Sequence, residues 1–302
     1  VAKAARVDMG VAIVGFAVGA GFALAGAGAA SPLLGLLVAP LFALPFVLPG
    51  ELRQARRGVV DRARLKAYAA FGYPVAASLT LALVLASTDR FLLAAFMDAA
   101  AVGAYHASYS LANRTLDVMF IWLGAAGAPA MVMALERGGR EALRRSALEQ
   151  ASTLVLITLP AAVGLALVAR PMAELMIGED LRAAAVIVTP WIALSAFLSG
   201  MIAYYFGFGF TLGKRTELLL LTTAVPAVAN IGLNLFLIPR FGLVGAAWAT
   251  AGSFAIGLVA CVLLSRRAIP LPVPWGTLAR CGLAAGAMAA VVAFYLRRSL
   301  DE

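Results

Sequence analysis

Apolar runs recur along the whole chain, separated by short polar stretches. They cover roughly residues 9–28, 31–49, 67–88, 103–134, 150–169, 183–207, 217–238, 242–264 and 277–296. Each is long enough to cross a hydrocarbon core about 30 Å thick as a helix. The runs are rich in Ala, Leu, Gly and Val and lack a ten-residue alternating pattern, so they predict helices and not a barrel. The fold class is therefore an all-α polytopic membrane protein with about nine transmembrane helices. The fourth run exceeds what a bilayer needs and predicts a helix that tilts, kinks or protrudes.

The polar stretches orient these helices. Alternate stretches hold Lys3 and Arg6; Arg53, Arg56, Arg57, Arg62, Arg64 and Lys66; Arg137, Arg140, Arg144 and Arg145; Lys214 and Arg215; and Arg266 and Arg267. The opposite stretches hold Arg170, Arg182 and Arg240, with Glu174, Glu179 and Asp180. Sixteen basic residues against three place the first set in the cytoplasm. Arg297 and Arg298 disagree, because the ninth helix would leave them outside. The segment "ELRQARRGVVDRARLK" (51–66) reads as a basic cytoplasmic linker or interfacial helix and as the main domain boundary. "RRAIPLPVPW" reads as an extended second linker. "VGAYHASYSLA" (102–112) resembles "VGAAWATAGSFA" (244–255), a weak internal repeat of a kind common in transporters.

Composition narrows the function classes. The chain is 63% hydrophobic and 13% charged, whereas a soluble domain is nearer half apolar and a quarter charged. Its net charge of +9 fits basic loops beside anionic headgroups, and no soluble basic domain exists to hold nucleic acid. Cys261 and Cys281 lie in apolar runs and fit small hydrophobes. One histidine and no Cys/His cluster leave no ligand set for metal catalysis. No phosphate-cradling loop or nucleophile–base set stands out, so neither an ATPase motor, a cofactor nor an enzyme is expected.

The remaining chemistry lies inside the apolar runs. An ionisable group at the bilayer centre costs roughly 2.5–3.5 kcal/mol on insertion scales, so it faces a bundle interior or a wet cavity. Asp89 and Arg90 fall at the outer end of the third run. His106, Ser110, Asn113 and Asp117 form a polar helix face in the fourth, with Arg114 three residues before Asp117. Asp89–Arg114 or Arg90–Asp117 bridges could clamp the two helices. Thr223, Pro226, Asn230 and Asn234 form a face of the seventh, suited to sugar hydroxyls or to another helix. Pro74, Pro160 and Pro190 mark candidate bends. His106 is an interfacial residue or a proton relay.

Two motifs carry a resemblance. "STDRFLLAAFMDAAAVGAYHASYSLA" and "NLFLIPRFGLVGAAWAT" (234–250) resemble helix junctions of polysaccharide or O-antigen flippases in the multidrug/oligosaccharidyl-lipid/polysaccharide exporter superfamily. That family has two six-helix lobes around a central cavity, often with two extra C-terminal helices. The resemblance implies that 1–50 are the last two helices of a first lobe and 67–264 a complete second lobe. It makes 51–66 the linker between them, and 265–302 a linker with one extra helix. A partial chain is then expected.

The resemblance implies a multi-pass flippase of the bacterial inner membrane. It would move a lipid-linked oligosaccharide outward by alternating access, among membrane lipids, and work beside a polysaccharide polymerase and glycosyltransferases. Arg90 and Arg114 are candidate donors to the pyrophosphate, with Lys214 and Arg215 at the cytoplasmic mouth. Asn113, Asn230 and Asn234 are candidates for glycan hydroxyls. Asp89, Asp117 and His106 are candidates for holding those charges or coupling to an ion. A cation-coupled multidrug exporter is the alternative within the superfamily. A membrane glycan polymerase, a glycosyltransferase or a non-transporting scaffold are alternatives of other classes.

Overall fold

The computed structural model describes residues 2–56, 58 and 61–301. Arg57 of the basic linker lies outside the described residues, as do the side chains of Lys3, Arg6, Arg297 and Arg298. The chain divides into two compact units, Val1–Lys66 and Ala67–Glu302.

The first unit is a helical hairpin. α1 (Ala2–Leu24) and α2 (Ser31–Ala55) are joined by a turn containing a 3₁₀ segment at Gly28–Ala30. Gly15, Gly19 and Gly35 let the two backbones touch, because a Cβ on Gly35 would overlap the backbone of Gly15.

In the second unit, α3 (Arg62–Phe96) enters at the unit boundary and α4 (Ala99–Leu167) follows after a two-residue turn. Asp98 caps α4, its carboxylate accepting the Ala101 N–H at 2.8 Å. A short amphipathic α5 (Ala169–Met176) leads to α6 (Glu179–Met201). A π-helical turn at Ile202–Phe206 runs into α7 (Gly207–Leu212), and α8 (Glu217–Ser265) and α9 (Trp275–Asp301) complete the unit.

α4 bends at Gly139 and α8 at Gly242, which splits each into two limbs. With α6 to α7 taken as one rod, nine long helical segments stand among the described residues, and the protein is a helical membrane protein. The span count of the sequence matches. Its positions shift where helices outrun their apolar cores. α3 continues to Phe96, so Asp89 and Arg90 lie inside the helix and not at its end. The outer stretch 170–182 is largely helical, as α5 and the start of α6. The bends fall on glycines, while Pro74, Pro160, Pro190 and Pro226 sit within helices.

Gly139 adopts φ 68°, ψ −158°, a region closed to side-chain-bearing residues. Beside it Glu141 meets Arg144 at 3.3 Å and Arg145 at 3.5 Å, and the Arg144 contact holds its carboxyl below the usual range. Gly139→Ala is expected to cost about 1–3 kcal/mol, read as a lower thermal midpoint of the purified protein.

The core forms where α4 and α6 pack along their length. Phe120 reaches into the space that Gly200 leaves open and lies 5.8 Å from the Tyr204 ring centroid. Ser108 donates to the Ala185 carbonyl at 3.2 Å, tying the two helices. α9 lies against the second limb of α4, where Thr277 meets Ser152 at 3.1 Å. α3 is held differently: its buried positions are the single stripe Ser78, Leu85, Asp89 and Leu93.

Candidate functional site

Asp89 is the buried member of that stripe whose chemistry is out of place in lipid. It is 2% exposed, and the side chains around it come from three helical segments. The first limb of α8 contributes Asn230 and Asn234, one turn apart. Their amides donate to Asp89 Oδ1 at 2.9 and 2.6 Å. Tyr105 of α4 donates its hydroxyl to Oδ2 at 2.8 Å. Thr250, on the second limb of α8, lies 3.0 Å from the same oxygen and 2.7 Å from the Tyr105 hydroxyl. Thr250 also lies 3.0 Å from the Ala246 carbonyl.

This arrangement ties α3 to both limbs of α8 and to α4. It also gathers oxygen. The two carboxylate oxygens, the two hydroxyls and the two amide carbonyls all lie at one helix crossing. Asn234 Oδ1 is buried with no partner. Among the described residues no ion pair involves Asp89, Arg90, Arg114 or Asp117. An ionised carboxylate taken out of water costs several kcal/mol unless a partner compensates it. Four donors supply part of that compensation.

The expected Asp–Arg bridges are therefore corrected. Residues one apart point about 100° apart on a helix, so Arg90 turns away from its neighbour. Its guanidinium stands 5.3 Å from the Tyr109 ring centroid, and its Nε is buried without a partner. Asp117 accepts from Asn113 Nδ2 at 2.8 Å and does not pair with Arg114. Arg114 is exposed, in a groove with Ser110 and Thr115 of α4 and Met176 and Ile177 at the end of α5. His106 is exposed as well. The face expected from His106, Ser110, Asn113 and Asp117 thus divides. The inward line on α4 runs through Tyr105, Tyr109 and Asn113. Lys214 and Arg215 sit in the turn before α8, where Arg215 pairs with Glu217.

A cavity of about 370 Å³ adjoins Asp89. Its walls include Ser78 with the apolar Val75, Leu79, Ala82 and Leu85 of α3, Tyr109 and Asn113 of α4, and Ser199, Ile202, Ala203 and Gly207 across the π-helical turn. Thr222, Thr223, Pro226, Asn230, Thr250 and Phe254 of α8 close it. At roughly 30 Å³ per water it has room for about a dozen waters, and a lipid-linked oligosaccharide is far larger.

Tyr105 and Thr250 are the members that sequence reasoning missed. Both lie within the two stretches of the internal repeat, Tyr105 at its fourth position and Thr250 at its seventh. Only the helix crossing brings them to a carboxylate 16 and 161 residues away.

The model of the polysaccharide biosynthesis protein family matches residues 2–202. No curated protein matches the chain. Among solved structures, the lipid II flippase MurJ in an inward closed conformation is similar in fold, with a TM-score of 0.68 at 12% identity. The similarity covers 96% of this chain and 59% of that one, so the chain spans about three fifths of the length of the structure it matches.

Proposed function

Because the chain belongs to the polysaccharide biosynthesis protein family, we propose that it takes part in flipping a lipid-linked oligosaccharide across the bacterial inner membrane. The observation that carries this reading is the fold. The helices of this chain share their fold with a lipid II flippase. In this reading 1–50 would end a first lobe, 51–66 link it to a second lobe at 67–264, and 265–302 add a linker and one helix. The reading is of a transporter and not of an enzyme. Neighbouring polymerases and glycosyltransferases would make and consume its cargo.

The site residues divide into two roles. Asp89, with Asn230, Asn234, Tyr105 and Thr250, is the coupling centre. Its single carboxylate matches a monovalent cation in charge. A half-turn of either asparagine amide brings another carbonyl oxygen to the same point, and it gives the unpartnered Asn234 Oδ1 a role. The asparagines thus serve the carboxylate before any glycan. Arg90 is the candidate donor to the pyrophosphate, since its Nε has no partner and its charge no counterion among the described residues. Lys214 and Arg215 guide the anionic cargo at the cytoplasmic face. Arg114, facing the α5 groove, is peripheral.

The test is translocation of a lipid-linked oligosaccharide in vesicles containing the full-length protein. A charge-assisted hydrogen bond is worth about 1.5–3 kcal/mol, so Arg90→Ala is expected to slow translocation at least about tenfold. Arg114→Ala is expected to change it less than about twofold. Equal effects would remove the distinction drawn here. The lone buried carboxylate also suits a cation-coupled multidrug exporter, and drug efflux without glycan movement would establish that reading instead.

A further inference from the structure

We propose that a monovalent cation reaches Asp89 from the cytoplasm through the cavity inside the second unit, by a route separate from the path of the glycan. The inference rests on the reading of Asp89 as the coupling centre and adds its direction and its walls.

The direction follows from where the lining residues sit along their helices. On α3 they run from Asp89 back to Val75, and on α8 from Asn230 back to Leu219. At 1.5 Å per residue these stretches are about 21 and 16 Å long, more than half of a hydrocarbon core about 30 Å thick. Both lead toward basic residues, Arg62, Arg64 and Lys66 on α3 and Lys214 and Arg215 before α8, and Gly207 at the start of α7 also lines the cavity. The opposite side of Asp89 is shut. Leu93, Tyr105, Ile238 and Leu243 are all buried there, and Met97 closes over Gly242.

The walls show what the route accepts. Ser78 donates its hydroxyl to the Pro74 carbonyl at 2.7 Å, and Ser199 to Ala196 at 3.1 Å. Thr222 and Thr223 both donate to the Leu219 carbonyl, at 2.9 and 3.2 Å. Each hydroxyl has one proton, and in all four it is turned back to the helix. The cavity therefore meets oxygen lone pairs. No lysine or arginine lines it among the described residues. Most of the lining is apolar, Leu79, Leu85 and Leu219 among it, and its polar groups include these oxygens and the carboxylate at its end, which attracts cations and repels anions such as a pyrophosphate. Its volume excludes the glycan in any case.

Single cysteines in the full-length protein test the route, with sided membrane vesicles and a membrane-impermeant, positively charged methanethiosulfonate. The two native cysteines, Cys261 and Cys281, are buried, so the unaltered protein sets the baseline. Thr223→Cys and Ala203→Cys probe opposite walls, and Leu83→Cys, 73% exposed on α3 and outside the cavity lining, is the control. Both probes are expected to react at least about tenfold faster than the control, and only from the cytoplasmic side. Sodium chloride there, compared with choline chloride, is expected to slow them several-fold, and Asp89→Asn to remove that protection. Reaction no faster than Leu83→Cys, reaction from the outer side, or rates indifferent to sodium would each overturn the route. Sodium-protected reaction in a protein that moves no glycan keeps the route and overturns the flippase reading alone.

Discussion

Replacing Asp89 with alanine is expected to cost about 3–5 kcal/mol and to abolish translocation. The cost is large because the carboxylate is the common acceptor for groups from three helical segments. Without it, Asn230, Asn234, Tyr105 and Thr250 keep their dipoles in a site closed to water on its outer side. α3 also loses the polar tie in its buried stripe. Asp89→Asn separates the two consequences. It keeps the volume and one acceptor oxygen, and the hydroxyls of Tyr105 and Thr250 can accept from its amide. Its stability cost is expected to be only about 1–2 kcal/mol. It still removes the charge that compensates a cation, so sodium is expected to raise the thermal midpoint of the native protein and not that of Asp89→Asn. Sodium-dependent stabilisation of Asp89→Asn equal to the native protein's would sink the assignment of the coupling centre.

The membrane architecture was legible because hydrophobic length is a strong signal. Nine runs gave nine helical segments, and the alternation of arginine-rich stretches agreed with them. The site was legible only in part. Asn230 and Asn234 announced a common face by being one turn apart on a helix. Asp89 announced itself as a charge in an apolar run. Its partners could not be read, because the expected Asp89–Arg114 or Arg90–Asp117 bridges matched opposite charges across α3 and α4, whereas uncharged amides and hydroxyls meet Asp89 and Asn113 meets Asp117. Thr250 carries no signal in an apolar run, since a threonine hydroxyl can return its proton to its own helix, and Tyr105 passes for an aromatic packing residue. Their role depends on three helical segments crossing at one level. The apolar residues FLLAAFM after Asp89 and Arg90 already showed that the run does not stop at the charges, and in the structure α3 continues to Phe96 with Asp89 buried.

Gly245→Ala is expected to reach the same centre from a residue that carries no chemistry. Gly242, at φ 56°, turns the second limb of α8 back against the first. Gly245 then lies so close to the first limb that an added Cβ would overlap the Leu237 carbonyl. It would stand 2.6 Å from the carbonyl carbon and 3.1 Å from the Ile238 nitrogen. These are backbone atoms, so no rotamer change relieves the contact, and the limbs must part. Asn230 and Asn234 ride on one limb and Thr250 on the other, so parting them pulls Thr250 from Asp89. The expected cost is about 1–3 kcal/mol in stability, with a weakened sodium-dependent rise in thermal midpoint. Gly232→Ala on the first limb is the matched comparison. Nothing lies within 4 Å of a Cβ there, so relief of helix-interior glycine is expected to stabilise by up to about 1 kcal/mol and to leave the sodium response intact. If the two variants behaved alike in both measurements, the close approach of the α8 limbs would not be what holds Thr250 at the carboxylate.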